Sequence, residues 1–390
     1  MSQRPSLRLI ATLAAIGSLG PFTIDTYLPA LPGMVDSLGA SVSAVQWTIA
    51  AYLVGVAIFP LFISPLSDTM GRKPVMYGAL GAFCAISLAC AFAPTIEWLI
   101  ALRVAQAAAG GSVMTLARAV LADLYRGDAL SRAMSYLMLV FTTAPIIAPL
   151  IGGVVLELGD WRWIFGFLAM IGMVITALAT TLPETLPEEA RKPFSIRGAV
   201  AGYVSLASNP MAHRYLVATF WSAVFFFAML SGAPFIFVDH FGATPLDFAW
   251  SFAAISAAAL IGNMVNMRLV MRRGYPRMMR DAFCVMVFLS IVMAIVAATG
   301  WGGLWGVFGV MVWLMAAFHI ITANTTAGLM DQLGHQAGGA SAVLALFRFS
   351  GGAIGSGVIG LFGSSHPWTF AVMLGVATAG MLSSLLLGRQ

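Results

Sequence analysis

Charge is what this chain has least of. Of 390 residues, only 9% are Asp, Glu, Lys or Arg, while 60% are hydrophobic. Soluble domains carry about 25% charged residues, so a water-soluble fold could not clothe its surface with this sequence. Acids are scarcest, 15 in all, and the five histidines stand far apart at 213, 240, 319, 335 and 366. A polytopic membrane enzyme would need His, Asp or Glu at metal-ligand or nucleophile spacing, and no such cluster is visible. The three cysteines, Cys84, Cys90 and Cys284, lie inside apolar runs. They read as small buried hydrophobes, not as a disulfide framework. No Gly-x4-Gly-Lys-Ser/Thr loop occurs, which removes ATP as the expected energy source. The net charge of +5 is dispersed between apolar segments, so no nucleic-acid patch forms. No soluble stretch follows the first apolar run, as it would after a signal peptide. That run is therefore expected to be a retained span.

What the chain has in abundance is long apolar segments. A spanning helix needs roughly 20 such residues. Twelve candidates fit, at 9–30, 46–66, 75–93, 97–119, 133–156, 162–181, 214–238, 247–270, 280–299, 303–326, 339–363 and 367–387. The longest polar segment, 183–212, holds Pro183, Glu184, Pro187, Glu188, Glu189, Arg191, Lys192, Pro193 and Arg197 and divides the chain nearly in half. The expected architecture is an all-α membrane protein with six-helix bundles at 1–182 and 213–390, joined by a cytoplasmic linker. Paired repeats of this kind place a substrate site near their interface. With both termini cytoplasmic, seventeen of the twenty Lys and Arg fall inside, from Arg4 and Arg8 to Arg389, and only Arg162 falls outside. This bias sets the expected orientation. Arg103 and Arg348 remain within spans.

Several motifs resemble those of the major facilitator superfamily. Segment 64–74 reads S-P-L-S-D-T-M-G-R-K-P. It is similar to the family's loop signature G-x3-D-x2-G-R-[KR], matching at Asp68, Gly71, Arg72 and Lys73, with Ser64 for the leading glycine. A carboxylate ending one helix and cations across a tight turn can form a conformational latch, and Arg118 and Asp123 are expected to join it. In the second half Gly262, Asn266, Arg268, Arg272, Arg273 and Gly274 look like a degraded copy, with Asn266 for the acid. Asp25-Thr26-Tyr27-Leu28-Pro29-Ala30-Leu31-Pro32 resembles the D-x-Y-L-P-A-x-P of bicyclomycin/chloramphenicol-type drug exporters. Leu99, Arg103 and Gln106 match a pattern with an intramembrane arginine. Segment 144–153 resembles the antiporter motif G-P-x2-G-G, with Ala144, Pro145, Ala148, Pro149, Gly152 and Gly153. The resemblance implies drug:proton antiport by alternating access, without a cofactor, by a monomer in the inner membrane. It names phenicol- and bicyclomycin-like compounds among the substrates.

The residues support the same site independently. Asp25 lies 17 residues past Arg8, roughly 25 Å along a helix. Arg103 lies six residues past Glu97, about 9 Å from the opposite end of its span. Both therefore sit deep, and an ionised group in hydrocarbon is costly unless it pairs or meets water. Asp25 and Arg103 are expected to face an aqueous space and each other, as a proton-coupling pair. Burial raises a carboxyl pKa and a neighbouring cation lowers it, so such an acid can titrate as its surroundings change. Tyr27, Gln106, Phe227, Phe235, His319, Asn324 and Arg348 are the candidate substrate-cavity residues. Arg348 could equally bond backbone carbonyls, and His319 could be a packing residue. Phe225, Phe226 and Phe237 could line a pocket but suit core packing better. Trp98, Trp161, Trp163, Trp301 and Trp368 fit an interfacial belt. A transporter of a sugar or other metabolite remains the alternative in the same fold.

Overall fold

The computed structural model describes residues 6–191, 204–333, 337–362 and 366–386. Arg4, Lys192, Pro193, Arg197, His335 and Arg389 lie outside them. Among the described residues there is helix but no strand. The helices are α1 (Leu7–Asp25), α2 (Leu31–Leu38), α3 (Val42–Ile58), α4 (Pro60–Met70), α5 (Arg72–Ala91), α6 (Ile96–Leu124), α7 (Gly127–Leu158) and α8 (Arg162–Ala179). They continue with α9 (Pro210–Phe235), α10 (Pro245–Arg273), α11 (Tyr275–Thr299), α12 (Gly303–Leu333), α13 (Ala337–Phe362) and α14 (Pro367–Leu386). Among the described residues eleven helical segments are long and apolar enough to cross a membrane. The pair α3 and α4, bent by 40°, makes a twelfth. Every expected span has its helix, and several helices outrun their apolar segments. The span expected at 97–119, for example, extends to Leu124.

Proline places the breaks. Pro60 opens α4 and supplies no N–H to the turn before it, which bends the second span. In the first span, Pro29 has no N–H to donate to the Asp25 carbonyl four residues back. The chain leaves α1 at Asp25, makes a single 3₁₀ turn at Leu28–Ala30, and re-enters helix at Leu31. Pro145 and Pro149 by contrast lie inside an unbroken α7. Polar ends are locally satisfied too. At the start of α10, Thr244 Oγ1 accepts from Asp247 N at 3.1 Å, and Asp247 Oδ2 accepts from Thr244 N at 3.1 Å. This is a reciprocal cap.

Two compact units emerge, Met1–Ala30 with Ala51–Ala199, and Leu31–Ala50 with Val200–Gln390. Residues 31–50, read from sequence as part of the first bundle, thus group with the second unit. Gln46 accounts for this: its Nε2 donates to Ser231 O at 3.1 Å, and its carbonyl accepts from Ser356 Oγ at 3.3 Å. Internally the units repeat one packing scheme. In the first, α1 packs on α6 and α7, and α5 on α6 and α8. In the second, α9 packs on α12 and α13, and α11 on α12 and α14. First with fourth and fifth, third with fourth and sixth, is thus the rule in both. Large apolar side chains lie exposed along the spans, among them Leu139, Val174, Phe288 and Ile291, as a lipid-facing surface requires. Trp98, Trp163, Trp301 and Trp368 are exposed at span ends. Trp161 departs from the expected belt; it is buried with its ring edge-on to Phe165.

Candidate functional site

The first unit concentrates its buried polarity where α1 breaks. Asp25, the last residue of α1, is only 5% exposed. Arg103 sits two turns into α6 and is fully buried, together with Gln106, Tyr27, Tyr52 and Ser87. Arg103 Nη1 donates to Gln106 Oε1 at 2.6 Å, and Gln106 Nε2 donates to Ser87 Oγ at 2.8 Å. Aromatic rings box the guanidinium: its Cζ lies 4.3 Å from the Tyr52 centroid, 4.7 Å from Tyr27 and 5.8 Å from Phe165. Such contacts stabilise a desolvated cation. Nε and Nη2 of Arg103 find no hydrogen-bond partner among the described residues.

The expected Asp25–Arg103 contact is not made. Among the described residues no ion pair within 4 Å joins them, and Tyr52 interacts electrostatically with both. Tyr52, Ser87 and Phe165 were not singled out from sequence. Each sits in an apolar run where nothing but the fold marks it.

The antiporter segment comes closest to this centre's backbone at Gly152. A Cβ on Gly152 would lie 2.0 Å from Thr26 O. Glycine at 152 therefore lets α7 lie directly on the backbone that follows Asp25. Gly153 and Pro149 are also buried.

At the other end of the unit Arg72, Asp68 and Asp123 come together, while Arg118 and Lys73 are engaged elsewhere, and there is an addition. Arg72 Nη1 pairs with Asp68 Oδ1 at 2.6 Å, and Nε with Asp123 Oδ2 at 3.0 Å. Gly71 makes the turn with φ +101°, a conformation open to glycine and strained for other residues. The Arg118 guanidinium lies 5.4 Å from the Phe141 ring centre, and Arg72 makes the ion pairs. Lys73 Nζ reaches Thr180 O at 3.5 Å. The addition is Glu184, just past α8. It accepts from the backbone N–H of Arg72 and Lys73 at 3.0 and 3.1 Å, and of Thr185 and Leu186 at 2.9 and 3.0 Å. Two of these are free donors of the first turn of α5, where a carboxylate is favoured. Partial burial works to raise the Glu184 pKa, but the four backbone donors prevail and hold it below the ordinary 4.5.

A carboxyl that binds its proton more weakly when folded contributes stability above its unfolded pKa. That contribution fades as pH falls through the lower folded value. Glu184→Gln is therefore expected to lower thermal stability near neutral pH by only about 0.5 kcal/mol, because solvent screens an exposed carboxylate. The deficit should shrink as pH falls below 4.5, as melting curves across pH would show. An equal deficit at every pH would contradict this assignment.

The second unit treats its candidates differently. α10 runs unbroken to Arg273, so Gly262, Asn266, Arg268 and Arg272 lie within helix, not in the expected loop copy. The corresponding turn is Gly274, with φ +77°. Tyr275 OH then donates to Asp331 Oδ2 at 2.8 Å, an uncharged donor where Arg72 meets Asp123 in the first unit, and Arg273 pairs with Asp281 at 3.1 Å. Asn324 Nδ2 donates to Asn266 Oδ1 at 2.6 Å and to Ile320 O at 2.7 Å. It ties α12 to α10, which differs from the ligand contact expected of it. Phe235 is fully buried and Phe227 6% exposed, so both fill the unit's interior. Phe226 stacks on Phe318 with centroids 4.9 Å apart. His319, beside Phe318, is half-buried and within electrostatic reach of Arg348. Arg348, mid-way along α13, is exposed and makes no ion pair among the described residues. Cys284, expected inside, is exposed.

A repeated six-span unit, a carboxylate at a broken first span and a charged latch after the second define a membrane carrier. The chain belongs to the Major Facilitator Superfamily, whose pattern it matches over residues 13–356. It is 31% identical over 388 residues to the MFS-type transporter YdgK of Bacillus subtilis, covering 97% of this chain and 94% of that one. It is 28% identical over 358 residues to a bicyclomycin resistance protein homolog of Haemophilus influenzae, covering 90% and 88%. Among solved structures it resembles the nucleoside transporter NupG (D323A mutant) at a TM-score of 0.78 and 12% identity, covering 98% of this chain and 100% of that one. That likeness concerns the fold.

Proposed function

We propose that this protein is a proton-coupled exporter of small amphipathic compounds, of the bicyclomycin/chloramphenicol type, working by alternating access of two six-span bundles (1–182 and 213–390) about the 183–212 linker. It moves its substrate unaltered, acts as a monomer in the inner membrane, and keeps both termini cytoplasmic. The observation that carries the proposal is Asp25. It is a carboxylate buried at a helix break with no ionic partner among the described residues, a few side chains from an equally buried arginine. Isolated ionisable groups in a membrane protein are costly to keep and mark ion pathways. The bicyclomycin resistance protein homolog among the relatives supports the substrate class. In each cycle Asp25 takes a proton from the outside and releases it to the cytoplasm, and substrate engages the deprotonated form. Arg103, Gln106 and Tyr27 shape the space beside it; within the second bundle, His319 and Arg348 are the proposed substrate contacts.

The test is expression in an efflux-deficient bacterium challenged with bicyclomycin and chloramphenicol. Resistance to at least one is expected, with intracellular drug rising to the level of the empty-vector strain once a protonophore is added. Accumulation insensitive to the protonophore would rule out proton coupling. No change for any member of a wider compound panel would favour a metabolite carrier.

A further inference from the structure

We infer that Tyr52 is a positioning residue that holds Arg103 away from Asp25 and thereby sets how readily that carboxyl exchanges its proton. The inference rests on the antiport reading above. A buried guanidinium with two nitrogens unpaired would be expected to close on any carboxylate it can reach, because charge-assisted bonds are the strongest available to it. Arg103 does not do so. Its Cζ lies nearest the Tyr52 ring, 4.3 Å from the centroid. The same residue's hydroxyl donates to Gly20 O at 3.3 Å and lies near the Thr23 side chain, both on α1 and within five residues of Asp25. Tyr52 is fully buried. One side chain therefore covers the cation with its face and grips the acid's own helix with its tip. Tyr27 also lies over the guanidinium, but it belongs to the same break as Asp25 and travels with it. Tyr52 comes from a different span.

The groups facing this centre are few. α1 and its break supply Asp25 and Tyr27, α3 supplies Tyr52, α6 supplies Arg103 and Gln106, and α5 supplies Ser87 and Cys90, the last within electrostatic range of Arg103. From α7 and α8 come Gly152 and Phe165, which carry no charge. Among the described residues no second carboxylate competes for the arginine there. Removing the ring thus leaves Asp25 as the charged partner Arg103 can turn to, and a cation drawn to a carboxylate weakens its hold on a proton.

The experiment is an infrared pH titration of the purified full chain without substrate, with Asp25→Asn as the blank that identifies the Asp25 carboxyl band. Tyr52→Leu is expected to move the midpoint of that band to lower pH by about one unit, a tenfold weaker proton affinity. Tyr52→Phe, which keeps the ring, should stay close to wild type. Tyr52→Met repeats the leucine test if that variant does not fold. A midpoint unmoved in a folded leucine or methionine variant overturns the role of Tyr52 and leaves the antiport reading standing. If no band titrates in the wild type that Asp25→Asn removes, both are overturned.

Discussion

Gly152→Ala is expected to be among the most damaging single changes in the first unit, although it adds one methyl group. Alanine is the better helix former by about 1 kcal/mol, so propensity alone predicts a small gain. Geometry reverses the sign. The new Cβ would lie 2.0 Å from Thr26 O and 3.0 Å from the Thr26 carbonyl carbon. Backbone on both sides of the contact leaves no flexible side chain to give way. Overpacking in a filled interior costs typically 1–3 kcal/mol. A clash this short is relieved only by moving α7 off the first span, which also displaces the residue after Asp25. The expected result is a net loss of about 2 kcal/mol, seen as a lower melting temperature in detergent, together with loss of export. Gly166→Ala in α8 is the control: a Cβ there meets nothing within 4 Å, and it should behave as wild type. Wild-type transport by Gly152→Ala would show that α7 and the first span do not need this contact.

That contact illustrates which parts of the molecule were legible beforehand. Hydropathy located every span, because a helix in lipid must be apolar for most of its length. Proline 29 and proline 60 carry their breaks on their face. The latch was legible for the same reason, since Asp68, Gly71 and Arg72 are adjacent in sequence as well as in space. Glu184 was not, because it reaches the loop from beyond α8 and bonds backbone N–H groups, which no side-chain pattern reports. Tyr52 was missed because its role comes from what it lies between, Gly20 on one side and Arg103 on the other. The second unit misled for a physical reason. Asn266 stands where a motif acid would, yet the helix continues past it to Arg273. Its side chain is used to bind Asn324 across two helices. Depth estimates put Asp25 and Arg103 in one region of one bundle, but depth carries no information on what stands between them.

Asp25→Asn is expected to abolish proton-coupled transport while leaving the fold intact. The substitution keeps the size and shape of a side chain that is almost fully enclosed, and it exchanges a group that titrates for one that does not. The fold should survive, because the carboxylate makes no ion pair among the described residues that the amide would forfeit. Several kcal/mol of stability are at stake when one partner of a buried pair is deleted; that penalty does not apply here, so the melting temperature should stay within a few degrees of wild type. The function should not survive. In proteoliposomes, bicyclomycin driven by an imposed pH gradient should fall to the level of empty vesicles, and a pH-sensitive dye should record no substrate-dependent proton movement. Exchange of bicyclomycin across the membrane at equal pH should fall as well, since the amide imitates the protonated form that substrate does not engage. Asp25→Glu, one methylene longer and still an acid, should recover part of the gradient-driven flux. If Asp25→Asn moved protons with substrate as wild type does, another group would have to carry them. The half-buried His319 would then be the next residue to replace.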